Sequence, residues 1–231
     1  MTRMPTAARW PAGVALTSWA YMWRITPMHR DEVEGSLPED LPPELPPTAD
    51  LDGVQRVDEG VGPLFHRLYS TRIRDGRLSA AELIETVAAD PDKVAPGEFT
   101  SFQKKRGDEG GMRVGDEFLV RMPGPWDGPV RVVDVTATSF RFATLEGHLE
   151  AGQIEWRAHD ERDALVFEIE SWARGGDQLS YVLHDRLKMA KEVQLHMWTS
   201  VLERVARRSG GRLDSGIDVQ TRRVELDDAH A

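Results

Sequence analysis

Cysteine is absent from this 231-residue chain. Its absence removes disulfides, thiolate metal sites and thiol nucleophiles together, leaves stability to burial and hydrogen bonding, and makes a reducing cytoplasm the expected compartment. Positive charge is in deficit: 29 Lys and Arg face 39 Asp and Glu, for a net charge of −10. Such a field repels phosphate backbones, so no nucleic-acid partner is expected. The short basic clusters Lys104-Lys105-Arg106, Arg207-Arg208 and Arg222-Arg223 have no interleaved aromatics on which bases could stack. They read as solvated faces.

A long apolar run is also missing. The best one, Ala12 to Trp23, is interrupted by Thr17 and Ser18 and followed by Arg24. It is shorter than the roughly 20 residues a membrane helix needs, and no small-residue cleavage site follows it. It is expected to dock as an amphipathic helix, with an interfacial membrane contact as the alternative; no integral membrane segment is expected. Catalytic signatures are missing too: there is no phosphate-cradling glycine loop, His-Glu-x-x-His, nucleophile elbow or dinucleotide fingerprint. The seven histidines are scattered without zinc spacing, so neither metal nor other cofactor is expected.

What is present is ordered. SLPEDLPPELPP, Ser36 to Pro47, holds five prolines in twelve residues. Each fixes φ and withholds a donor, so the segment reads as a stiff linker or surface arm. The expected divisions are an N-terminal arm (1–35), a Pro-rich linker (36–58), a folded domain (59–211) and a polar C-terminal tail (212–231). In that tail Ile217, Val219 and Val224 could make a short edge strand.

From Gly62 the apolar pattern has period two, the signature of strands. Phe65, Tyr69 and Ile73 share one face. Ser79 and Glu82 offer a capping box for a helix through Leu83, Ile84 and Val87, and Pro91 and Pro96 bound a second short helical or turn segment. Six further strand-like runs follow, carrying Phe118/Val120/Met122, Phe140/Phe142/Thr144, Ile154/Trp156 and Phe167/Ile169/Ser171 on their apolar faces. One dry and one wet face are expected. The last element runs from about Asp177 to Arg208, with Leu179, Leu183, Leu187, Ala190, Val193, Met197, Val201 and Val205 as one stripe. Gly210-Gly211 stops it. The fold class is α+β: a curved antiparallel sheet of about seven strands wrapped on a long C-terminal helix, the helix-grip arrangement.

Three strings, GPLFHRLYSTRI (Gly62 to Ile73), VGDEFLVRMPGPWDGPVRVVD (Val114 to Asp134) and SFRFATLEGHLEAGQIEW (Ser139 to Trp156), resemble the family catalogued as domain of unknown function nineteen-ninety. The resemblance spans about Gly62 to Arg208 and departs from the family pattern at Ala143, where glycine is usual, and at Gln153, where glutamate is. It implies membership of the START-like (SRPBCC) helix-grip superfamily and an internal cavity. That superfamily includes lipid carriers, hormone receptors and aromatic polyketide cyclases, and fold alone does not choose among them.

The leading expectation is a protein that binds a small apolar or amphipathic molecule between sheet and long helix. Phe118, Val120, Phe140, Phe142, Trp156, Phe167 and Met197 would line the cavity. His148, in a Gly-His turn near the mouth, and Arg186, inside the helix's apolar arc, would orient the ligand. In that functional reading Glu150 is a possible orienting carboxylate for His148; the structural readings are that His148 only closes its turn by bonding to backbone and that Arg186 snorkels or bonds Asp134. An enzyme of the cyclase or dehydratase kind, with His148 as acid or base and Arg186 holding an oxyanion, is the rival. An interaction module with a filled core is the third reading. Glu155, Glu168 and Glu170 are expected on the wet face, and Trp126 at the cavity rim.

Overall fold

The computed structural model describes residues 26–97, 100–121, 127–176 and 184–226, and of 184–193 the backbone alone. Among these residues nine strands form one sheet: β1 (Met28–Glu34), β2 (Val61–Arg74), β3 (Ser101–Arg106), β4 (Glu117–Arg121), β5 (Asp127–Val135), β6 (Ser139–Thr144), β7 (Glu150–Asp160), β8 (Leu165–Gly175) and β9 (Arg212–Val224). Two α-helices accompany it, α1 (Ala80–Ala89) and α2 (His184–Arg208). The spatial order is β1-β9-β2-β8-β7-β6-β5-β4-β3. Every neighbouring pair is antiparallel except β1 and β9.

Strands β3 to β8 follow one another as a meander, each pairing with the next. Helix α1 starts where the capping box requires: Ser79 N–H donates to Glu82 Oε2 at 2.8 Å, and Ser79 Oγ accepts from the Glu82 N–H at 3.4 Å. Its first turn is also tied to the end of β7, since Ala80 N–H donates to the Asp160 carboxylate at 3.0 Å. Helix α2 ends at Gly210, whose φ of +78° lets Gly210 N–H reach Arg207 O and Gly211 N–H reach Ala206 O.

The sheet is curled. Phe102 on β3 lies four strands from Trp156 on β7, roughly 19 Å away in a flat sheet at about 4.8 Å per strand. Their ring centroids are 5.9 Å apart. Met197, Val201 and Val205 of the expected stripe are buried on the inner face, in one cluster with residues from β2 to β9. Leu179 and Leu183 lie outside the described residues, as do the side chains of Leu187, Ala190 and Val193 and the N-terminal segment 12–23.

Two expectations need correcting. First, the sheet has nine strands instead of about seven, and the added pair comes from segments read as arm and tail. Arg212–Val224 is a full strand inserted between β1 and β2, with Ile217 fully buried and Val219 and Val224 nearly so. Its period-two signal is thin because charged residues occupy the outward positions and Ser215-Gly216 breaks the pattern with positive φ at both. Strand β1 has almost no apolar residues and is held by parallel pairing to β9, which backbone groups make whatever the side chains are. Its charged side chains suit an edge.

Second, the outer face is covered where a wet face was expected. Residues 36–60 lie across it, and two apolar clusters seal the contact: Leu45, Ala49, Leu51 and Val54 on Val133 and Ala143, and Val57 on Leu64, Trp172 and Val224. A proline-rich chain has more carbonyls than N–H groups, so it cannot join a ladder and needs side-chain donors. Three successive strands supply them. Arg131 on β5 donates to Asp50 O at 2.9 Å and Asp52 O at 2.6 Å, Arg141 on β6 to Glu44 O at 3.4 Å, and Gln153 on β7 to Pro43 O at 3.1 Å.

A strand in mid-sheet carries more stability than a tail. Ile217→Ala is expected to cost about 2–5 kcal/mol in urea unfolding, the usual range for truncating a buried isoleucine; a cost under about 0.5 kcal/mol would be that of an exposed tail position.

Candidate functional site

The inner face is aromatic at its centre. Phe140, Trp156 and Phe167 are fully buried, Phe142, Phe118, Val120 and Met197 nearly so, and all seven fall in one cluster. Trp156 is its hub: its ring centroid lies 5.3 Å from that of Phe140, 6.3 Å from Phe167 and 5.7 Å from Trp198 of α2. Phe118 and Phe140 both meet Phe142 edge to face. The sequence-expected lining residues are thus brought together, ring against ring. Trp156 Nε1 is buried with no acceptor among the described residues.

Along the strands the same face turns polar. The ladder aligns Tyr69, Ile169 and Trp156 in one row, and Arg67, Ser171 and Ile154 in the next same-face row. Beyond them Glu150 Oε2 accepts from Gln194 Nε2 of α2 at 2.7 Å, and Gln194 Oε1 is 3.5 Å from Arg67 Nη1. Arg67 is 7% exposed. Its guanidinium sits 4.8 Å from the Phe65 ring centroid, and among the described residues no carboxylate comes within 4.0 Å of it. A buried guanidinium ordinarily requires an anion. It lines a hollow of about 190 Å³ with Tyr69, Leu195 and Val219 as apolar wall and Arg30, Asp31 and Glu32 at the β1 edge.

His148 sits half-buried in the β6–β7 turn. Its Nδ1 lies 2.9 Å from the Glu150 N–H and 3.0 Å from the Glu150 carbonyl oxygen, so either tautomer ties the ring to its own turn. Burial pushes its pKa below 6.5, against a smaller opposing pull from Glu150. The Glu150 carboxylate bonds Gln194 of α2, and Asp134 is on the outer face, 3.5 Å from Arg141. The Arg186 side chain, Met122 and Trp126 lie outside the described residues. Arg67 was not picked out in the sequence, although the alternation that put Phe65, Tyr69 and Ile73 on one face puts Arg67 there too.

On the outer face the acids are spent on cations. Arg157 bonds Glu168 at 2.7 Å, Glu155 at 3.3 Å and Glu170. His66 stacks on Trp172 and bonds two carboxylates at once, Asp40 through Nδ1 and Glu170 through Nε2, each at 2.6 Å. Only an imidazolium donates from both nitrogens. Asp40 belongs to the arm, is 2% exposed, and is also bonded by Arg222 and by the Ser36 N–H. His66 is therefore the clamp that fastens the arm to the sheet. Burial disfavours its charge, and the bonds to Glu170 and Asp40 outweigh burial and raise its pKa above 6.5. Burial opposes the two carboxylates as well, but the His66 bonds and their other donors pull them below 3.8 (Asp40) and 4.5 (Glu170).

Among the described residues no group of three or more His, Cys, Asp or Glu is placed to hold a metal ion, and no helix is long and apolar enough to cross a membrane.

A curled antiparallel sheet closed on its inner side by a long C-terminal helix defines a helix-grip protein. Residues 56–210 match the family described as domain of unknown function (DUF1990), and the chain belongs to that family. No curated protein matches it. It is similar to three solved structures among others: Ara h 8.0201 (10% identity, 63% of this chain and 97% of that one, TM-score 0.41), the ginseng major latex-like protein 151 from Panax ginseng (16%, 59% and 99%, TM-score 0.37) and the di-domain ARO/CYC StfQ from the steffimycin biosynthetic pathway (9%, 64% and 52%, TM-score 0.43). The chain spans about half of the last. No ligand or reaction passes from these proteins to this one.

The clamp makes stability depend on pH in a defined sense. Since folding raises the His66 pKa, its contribution is complete below 6.5 and is lost as pH rises through the raised value. The carboxylate contributions are complete above 4.5 and are lost as pH falls through the lowered values. Urea midpoints measured from pH 4.5 to 9 should thus decline above 6.5, and His66→Gln should remove most of that decline. An identical alkaline slope in the variant would show that His66 is not the titrating clamp.

Proposed function

We propose that the protein binds a small amphipathic carboxylate between the inner face of the sheet and α2. The observation that carries this reading is Arg67, a buried guanidinium with no carboxylate within 4.0 Å among the described residues, opening on a hollow. The ligand's carboxylate takes the place of the missing counter-ion, as a bidentate partner of the guanidinium. Its apolar body lies against Tyr69, Leu195 and Val219. The change from aromatic to charged side chains under one helix matches a molecule with an apolar and an anionic end. The exposed Asp31 and Glu32 at the rim, with the net charge of −10, disfavour dianions such as phosphates.

This reading replaces His148 and Arg186 with Arg67 as the orienting group. His148 contributes less as acid or base than the sequence suggested, since its Nδ1 is bonded within its own turn. Binding without chemistry is therefore favoured over a cyclase-like reaction.

A matched pair of probes tests it: 3-phenylpropionate and the neutral 3-phenylpropanol, by calorimetric titration. The carboxylate should bind at least about tenfold more tightly, the scale of one charge-assisted bond. Arg67→Met should abolish that preference while leaving the melting temperature of the unliganded protein unchanged or higher, because an unpaired buried charge is removed. Equal binding of both probes, or a stability loss of about 3–5 kcal/mol in Arg67→Met, the mark of a broken buried ion pair, would contradict the proposal.

A further inference from the structure

We propose that the outer face carries a second binding site, separate from the one under α2: a cleft between the proline-rich arm and the sheet that takes a small, uncharged, largely apolar molecule bearing one N–H or O–H donor. The cleft exists because the arm cannot lie in the ladder. Its carbonyls rest on the ends of Arg131, Arg141 and Gln153, which hold it a side chain's length above the strands. The space left has a volume of about 610 Å³. That is within the range of about 300–1,000 Å³ typical of ligand pockets.

Leu45, Leu51, Val54 and Val57 give it an apolar wall, and Gln153 and Arg174 form its floor. Gln153 is 9% exposed, and its Nε2 is committed to Pro43 O at 3.1 Å. That bond fixes the amide, because a flipped amide would set Oε1 against the Pro43 carbonyl. Oε1 is consequently a buried acceptor without a donor among the described residues. Buried acceptors are ordinarily paired, and an orphan costs the full desolvation of the group. A ligand N–H or O–H supplies the missing partner. Glu44, Asp58 and Arg56 also line the cleft, and Arg174 bonds Gly62 O and Val57 O within the fold. The mixed signs favour no ionic ligand, which separates this site in chemistry from the anion-seeking Arg67 on the other face.

The test uses the full chain and the fluorophore N-phenyl-1-naphthylamine, an uncharged apolar molecule with a single N–H, beside its N-methylated form, which lacks the donor. Fluorescence titration should show saturable binding of the N–H probe, about tenfold tighter than that of the N-methyl form. Gln153→Met should erase this preference. Leu41→Trp, a substitution at the 40% exposed rim, should weaken both probes at least about tenfold by filling the mouth, and Arg67→Met should leave both as they are. No preference for the N–H probe, binding indifferent to Leu41→Trp, or binding weakened by Arg67→Met would overturn the proposal, the last by moving the probe to the inner face. Should Gln153→Met not fold, Leu41→Trp, at an exposed position, still decides.

Discussion

Trp156 sets the spacing between sheet and helix. It meets Phe140 and Phe167 from the neighbouring strands, Trp198 from α2, and Phe102 from the far strand β3. The last contact exists only because the sheet curls, so the indole acts as the form around which five strands bend. Everything chemical depends on the curl. It brings Arg67 and Gln194 face to face, buries the guanidinium, and leaves a hollow beside it.

The second constraint comes from proline. A chain of 231 residues that lays a nine-stranded sheet over one long helix leaves its outer face bare, and the arm is what covers it. Five prolines stop that arm from adding a strand and leave its carbonyls without ladder partners. Buried donors on β5, β6 and β7 answer them, and His66 ties the arm down through Asp40. Arginine and glutamine on the outer face thus do for the arm what backbone N–H groups do for a strand. The gaps inherent in this side-chain-mediated contact create the outer cleft.

Much of this was legible in the sequence, for one physical reason: period-two alternation is a local signal, and β2, β4, β6, β7 and β8 display it. The capping box at Ser79 and Glu82 and the Gly210 stop are local as well. What was not legible depends on contacts distant in sequence. Strand β9 shows too few apolar residues to announce itself, because its neighbours β1 and β2 supply backbone partners that no side-chain pattern records. The covering of the outer face rests on pairs such as Pro43 with Gln153 and Asp40 with His66, and nothing near Pro43 or Asp40 in sequence points to them. Arg67 is different. Its parity with Tyr69 and Ile73 placed it on the dry face from the start, and a charge at a dry position was the signal to follow. His148 drew attention by its turn, and the turn is what its Nδ1 serves.

The central claim is that Arg67 waits for a carboxylate that none of the described residues supplies. Native mass spectrometry of the full chain purified from its own host, under conditions that retain noncovalent ligands, tests it most directly. The account predicts a second peak displaced by the mass of one small molecule that ionises as an acid after release and is missing from the Arg67→Met protein. An unliganded mass alone, together with no uptake of added 3-phenylpropionate in the same spectra, would contradict it.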